Sequence, residues 1–154
     1  MMDEALMRLA LEEAGLGVAY GEVPVGCVIA QGDRVIARAH DRRESLQDPT
    51  AHAEVLAIRE AARFLGSWRL EGCTLAVTVE PCVMCAGAIL LARIPRLVYG
   101  APNPKAGAVR SLFRICEDSR LPHRVEVRPG VLEEEAKAVL QAFFRGLRSR
   151  DPLG

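Results

Sequence analysis

His52-Ala53-Glu54 and, further along, Pro81-Cys82-Val83-Met84-Cys85 supply one imidazole, one carboxylate and two thiols. Cys82 and Cys85 are three apart at what reads as a helix start, so their side chains share a face and can hold one ion. The helix N-terminus favours thiolates, the form that binds metal. His52, in the first turn of another helix, adds a neutral nitrogen. Three protein ligands leave one tetrahedral position open, the pattern of a catalytic rather than a structural zinc. Such an ion lowers the pKa of bound water to about 7 in the best-known sites. Two thiolates donate more charge than imidazoles do, so the water here calls for a base. Glu54 lies two residues after His52 and fans away from it on the helix. That suits a shuttle carrying a proton from water to a substrate nitrogen and then to a departing amine. A lone Cys-x-x-Cys also fits a redox pair or a zinc knuckle, and a lone His an ordinary surface position. The combination favours the open zinc site, because a structural site takes a fourth protein ligand. Cys27, Cys73 and Cys116 read as small buried hydrophobes.

These groups need a scaffold. Residues 3–16 have helical periodicity, with Gly15 and Gly17 expected to end the helix. Two β-rich runs, 25–30 and 34–39, flank the hairpin signal Gln31-Gly32-Asp33. Residues 41–50 are polar and lead into a helix over 51–64 that begins with the first motif. A buried strand over 74–79 is followed by a helix from 81 to about 92, with Pro81 suited to its first turn. Strands over 96–100 and 125–128 and a closing helix over 132–147 complete the pattern. Between them 101–122 is a long connection, a common place for function. The alternation predicts one domain spanning 1–154: a three-layer α/β/α sandwich on a central five-stranded mixed sheet.

Composition narrows the setting. Half of the 154 residues are hydrophobic and about a quarter charged, ordinary for a globular domain. No apolar run is long enough to cross a bilayer. No basic leader with an apolar core opens the chain, and five cysteines without one point to a reducing compartment, the cytoplasm. Net charge is zero, but residues 1–60 carry six Arg against eleven Asp/Glu and 61–154 carry fourteen Lys/Arg against nine. The basic second half is compatible with a polyanionic partner.

The runs Asp48-Pro49-Thr50-Ala51-His52-Ala53-Glu54 and Glu80-Pro81-Cys82-Val83-Met84-Cys85-Ala86-Gly87-Ala88 resemble those of the bacterial tRNA-specific adenosine deaminases, in the cytidine/deoxycytidylate deaminase superfamily. The likeness extends from Glu22-Val23-Pro24-Val25-Gly26 through Lys105-Ala106-Gly107-Ala108 and Ser111-Leu112 to Phe143-Phe144-Arg145. It implies a cytidine-deaminase-like fold, a homodimer, one Zn²⁺ per subunit, and conversion of the wobble adenosine of a tRNA anticodon to inosine. It also implies that His52, Cys82 and Cys85 hold the zinc, that Glu54 moves the proton, and that backbone amides at Ala53 and Cys82 face the charge developing at the attacked carbon. Contacts with the tRNA anticodon loop would fall on Asn103, Lys105 and Ser111 and on the last helix, at Phe144 and Arg145 with Arg148 and Arg150; Phe143 is expected in the core.

This sequence departs from the family pattern at Asp41, where an Asn usually reads the flipped base. It departs again at Asn103 (usually Asp in bacterial relatives), Arg110 (usually Gly) and Pro122 (usually Asn). An ionised carboxylate accepts from an exocyclic amine but cannot donate to a ring acceptor, which leaves base selection open at Asp41. Asn103 and Arg110 predict weaker discrimination against DNA, because less repulsion and more attraction meet the backbone phosphates. Alternatives to tRNA adenosine are a free guanine or cytosine base or nucleotide, a DNA-tolerant adenine deaminase, or a non-catalytic RNA-binding subunit. Glu54 argues against the last.

Overall fold

The computed structural model describes residues 1–150, with side chains through Leu147. Five strands, β1 (Gly26–Gln31), β2 (Arg34–His40), β3 (Cys73–Val79), β4 (Arg96–Ala101) and β5 (Glu126–Arg128), form one sheet in the order β2-β1-β3-β4-β5. β1 runs antiparallel to β2 and β3, whereas β3–β4 and β4–β5 are parallel, so the sheet is mixed as expected.

Strand alternation builds two cores. On one side Cys27, Ile29, Leu75, Val77, Leu97 and Tyr99 pack against the helices that carry the motifs, α3 (Ala53–Leu65) and α4 (Val83–Leu91). On the other, Val28, Ala30, Ala76 and Val98 meet Leu6, Met7 and Ala10 of α1 (Asp3–Val18). The closing helix α5 (Glu133–Arg150) also packs on β3 and β4. A period of two along each strand thus feeds both faces of a three-layer sandwich.

Three local expectations are corrected. α1 runs through Gly15 and Gly17 to Val18, and the turn comes at Gly21, whose φ of 77° is left-handed. Packing of α1 on the sheet outweighs a glycine cost of about 1 kcal/mol each. Part of the polar stretch after β2 forms a single helical turn, α2 (Arg43–Leu46). Both motif helices start two residues later than expected: His52 and Cys82 are their N-caps, and Pro81 lies outside α4. Cys82 is instead held in a bridge to Gly107 of the long connection.

Candidate active site

The two N-caps converge beyond the carboxyl end of β3, where its chain turns into α4. Open α/β sheets place ligand sites at such ends. His52 Nδ1 lies 3.7 Å from Cys82 Sγ and 3.5 Å from Cys85 Sγ, and the three donor atoms all fall within 4.8 Å of one another. A tetrahedral zinc with ordinary Zn–N and Zn–S bonds requires an N–S edge of about 3.5 Å. The donor set therefore fits zinc in both chemistry and spacing, and it identifies Nδ1 as the imidazole ligand atom. No other His, Cys, Asp or Glu among the described residues joins the cluster.

Without metal, the cluster shares its protons unevenly. Hydrogen bonding from the Cys85 thiol and from His52 lowers the Cys82 pKa to about 3. The Cys82 thiolate in turn raises Cys85, with burial and Glu54 adding to the effect, and raises His52. Glu54 is buried, and loss of hydration together with the charge of Asp41 pushes its carboxyl to about 7. Asp41 is also buried: Oδ1 accepts the Ala53 N–H at 2.7 Å, and Arg43 Nε lies 3.8 Å from Oδ2. Burial raises its pKa, opposed by the Ala53 bond and the His52 charge. Of the two amides expected at the reacting centre, Ala53's is thus engaged by Asp41. The Cys82 N–H has no protein acceptor among the described residues.

A cavity of about 480 Å³ opens over these groups, lined by Asp41, His52, Glu54 and Cys82 together with Asn103, Lys105, Leu140 and Phe144. The structure therefore joins most of the predicted substrate residues to the metal cluster. Ser111 is an exception: its hydroxyl and its N–H (2.9 Å) both donate to Glu80, and it does not line the cavity. Arg145 is exposed on α5 outside the lining. Arg148 and Arg150 lie outside the described side chains. Arg110, expected to attract phosphate, forms an ion pair with Glu117 at 2.9 Å, so half of the argument for weak DNA discrimination falls. Phe143 is half-buried and packs edge-on against Phe144.

Sequence reasoning assigned no role to two buried carboxylates that organise nearby loops, of which Glu80 lines this cavity. Glu80 accepts the backbone N–H groups of Asn103, Val109, Arg110 and Ser111 at 2.8–3.1 Å, as well as the Ser111 hydroxyl. Burial alone would raise its pKa, but the Arg110 N–H, the Ser111 hydroxyl and the other amides outweigh that and hold it low. Gly107 is a glycine because a Cβ there would strike the Glu80 carboxylate and sit 2.6 Å from Asn103 O. Glu22 acts in the same way on α2, outside the cavity lining, accepting the N–H groups of Glu44 (3.1 Å) and Ser45 (2.7 Å). The available signal was an acidic residue beside an apolar strand, in the Glu80-Pro81-Cys82 run itself.

The zinc-binding region of cytidine and deoxycytidylate deaminases matches residues 1–101. A tRNA-specific adenosine deaminase of Bacillus subtilis (strain 168) is 49% identical over 148 residues, 96% of this chain and 92% of that protein. A solved structure from work on A-to-I editing by tRNA:A34 deaminases at the wobble position superposes with a TM-score of 0.85 at 47% identity, covering 88% of this chain and 99% of that one. A guanine deaminase from Nitrosomonas europaea superposes with a TM-score of 0.79 at 25% identity, covering 91% of this chain and 83% of that one. With its motifs, fold and relatives in agreement, this chain belongs to the cytidine and deoxycytidylate deaminase family, in the branch of the tRNA-specific adenosine deaminases.

Proposed function

We propose that this protein deaminates the wobble adenosine of a tRNA anticodon hydrolytically, giving inosine and ammonia. The observation that carries the reading is a zinc-spaced triad and a buried carboxylate opening into a cavity whose lining also includes Lys105 of the long connection and Phe144 of α5. The 49% identity to a tRNA-specific adenosine deaminase, against 25% to a guanine deaminase, supports adenosine in tRNA over a free base.

His52, Cys82 and Cys85 hold one zinc per subunit, which when bound supplies Lewis-acid activation of water. Glu54 takes a proton as the water oxygen bonds to C6 of the purine and places it on N1; it then takes the second proton from that oxygen and delivers it to the exocyclic nitrogen as the C–N bond breaks, leaving a C6 carbonyl and ammonia. A carboxyl poised near 7 both accepts and releases a proton near neutral pH. The Cys82 N–H faces the developing charge. Asp41, fixed through Oδ1 on Ala53, presents Oδ2 to the base. Asn103 and Lys105 meet the sugar-phosphate chain, and Phe144 offers a stacking surface; Ser111 and Arg145 are assigned to the RNA-facing loop and helix, the former through Glu80.

Residues 1–154 act as one domain in the cytoplasm. No described helix is long and apolar enough to cross a membrane. The protein works as a homodimer: α4 carries no charge and exposes Val83 and Leu91 one helical stripe apart, with Gly87 open between them.

Zinc-loaded protein incubated with an anticodon stem-loop, guanine, cytidine and adenosine should release ammonia and form inosine from the stem-loop. Turnover of guanine or cytidine without the stem-loop would overturn the substrate assignment.

A further inference from the structure

A second cavity, of about 660 Å³, lies along the free edge strand β2 and the outer flank of α3. It shares the segment after β2 with the active site: Asp41 and Arg43 line the one, Arg42 and Ser45 the other. Arg38, Arg42, Arg59 and Arg63 converge on it, with Tyr20 and His40 parallel to each other at its rim and Leu56 in its wall. Its two acids are Glu13, ion-paired with Arg38 at 2.8 Å, and Glu60.

Half of the Lys and Arg side chains described face a carboxylate. Arg96 and Arg128 hold Asp3, Arg110 and Arg114 hold Glu117, Arg120 holds Asp118 and Lys137 holds Glu133. Those pairs neutralise much of the basic second half. Arg42, Arg59 and Arg63 make no ion pair among the described residues, although Asp48 lies within the field of Arg59. Two of these three, Arg42 and Arg59, come from residues 1–60, the half of the sequence whose net charge is negative. Placing three unpaired guanidiniums around one concavity costs mutual repulsion, and a bound anion relieves it. Guanidinium also suits phosphate through paired N–H donors.

We propose that this cavity is a second contact for the RNA substrate, in which Arg42, Arg59 and Arg63 bind backbone phosphates flanking the anticodon loop. The inference rests on the RNA substrate proposed above. Each phosphate neutralised releases condensed counterions, so the contact is read from the salt dependence of binding.

The test uses full-length zinc-loaded protein and an inosine-containing anticodon stem-loop, with Kd measured between 50 and 200 mM salt. The triple variant Arg42→Ala/Arg59→Ala/Arg63→Ala should flatten the slope of log Kd against log salt by about 2 to 3, close to one unit per contact. Arg8→Ala, which removes an exposed arginine from α1, controls for general charge loss and should leave the slope unchanged. A triple-variant slope within half a unit of the wild type, or an equal per-residue change in the control, overturns the second contact alone. Absence of salt-dependent RNA binding by the wild type overturns the substrate assignment and this inference with it.

Discussion

Glu80→Gln isolates the force that shapes the active-site loop. The carboxylate receives three backbone N–H groups at Oε2, from Val109, Arg110 and Ser111, and at Oε1 it receives the Asn103 N–H and the Ser111 hydroxyl. A glutamine keeps one acceptor oxygen. With that oxygen on the three-amide side, the new NH₂ confronts the Asn103 N–H, donor against donor, while Ser111 can turn to accept. Hydrogen bonds to a charged group contribute about 1 kcal/mol more than neutral ones, and a stranded buried donor costs about 1–3 kcal/mol. Three weakened bonds and one stranded amide give a loss of roughly 4–6 kcal/mol, focused on residues 102–111. At about 1.4 kcal/mol per tenfold, amide exchange at Val109, Arg110 and Ser111 should accelerate by about 10³-fold or more, up to the limit set by global unfolding. Zinc content should hold, because Glu80 is not a ligand, and KM for the stem-loop should rise more than kcat falls. Exchange at these amides within threefold of the wild type would refute the reasoning. The sign with pH follows from the lowered pKa: the Glu80 contribution is complete above its ordinary value of 4.5 and is lost as pH falls through its lower folded value.

Glu54→Ala should retain fold and zinc but lose roughly 10²–10⁴ in kcat, the usual scale for acid–base catalysis; wild-type turnover would remove its proton-transfer role. In the metal-free protein Cys85 is protonated and His52 is raised, whereas Cys82 is already a thiolate. Zinc loading at pH 7 should therefore release the Cys85 proton, together with whatever proton fraction His52 carries, and weaken as pH falls, measured calorimetrically in buffers of different ionisation enthalpy; His52→Ala should bind zinc far more weakly. Gly26→Ala places a Cβ against Ala10 O and 2.5 Å from Ala14 N, where α1 rests on β1. A loss of about 1–3 kcal/mol should appear as a Tm lowered by several degrees, and an unchanged Tm would contradict that close approach.

The chemistry was legible in the chain because metal ligation depends on residue type and short spacing. His52, Cys82 and Cys85 were identified from their motifs, and the structure brings their donor atoms together. The sheet and its two layers were legible too, because apolar alternation of period two along β1, β3 and β4 records which side chains face which helix. Local propensity failed where packing overrode it. Gly15 and Gly17 remain helical because α1 is docked on the sheet, and Pro81 stays outside α4 because Cys82 is tied to Gly107.

What sequence could not convey is how each charged side chain is engaged, since a carboxylate or guanidinium reads the same paired or free. Only the fold turns Glu80 and Glu22 inward onto loop amides, attaches Asp41 to Ala53, and commits Arg110 to Glu117. Only the fold, too, gathers Arg42, Arg59 and Arg63 around one cavity. Residue type and spacing specified the reaction centre; contacts between separate segments, from 7 residues apart at Arg110–Glu117 to 31 at Glu80–Ser111, decided the surface around it.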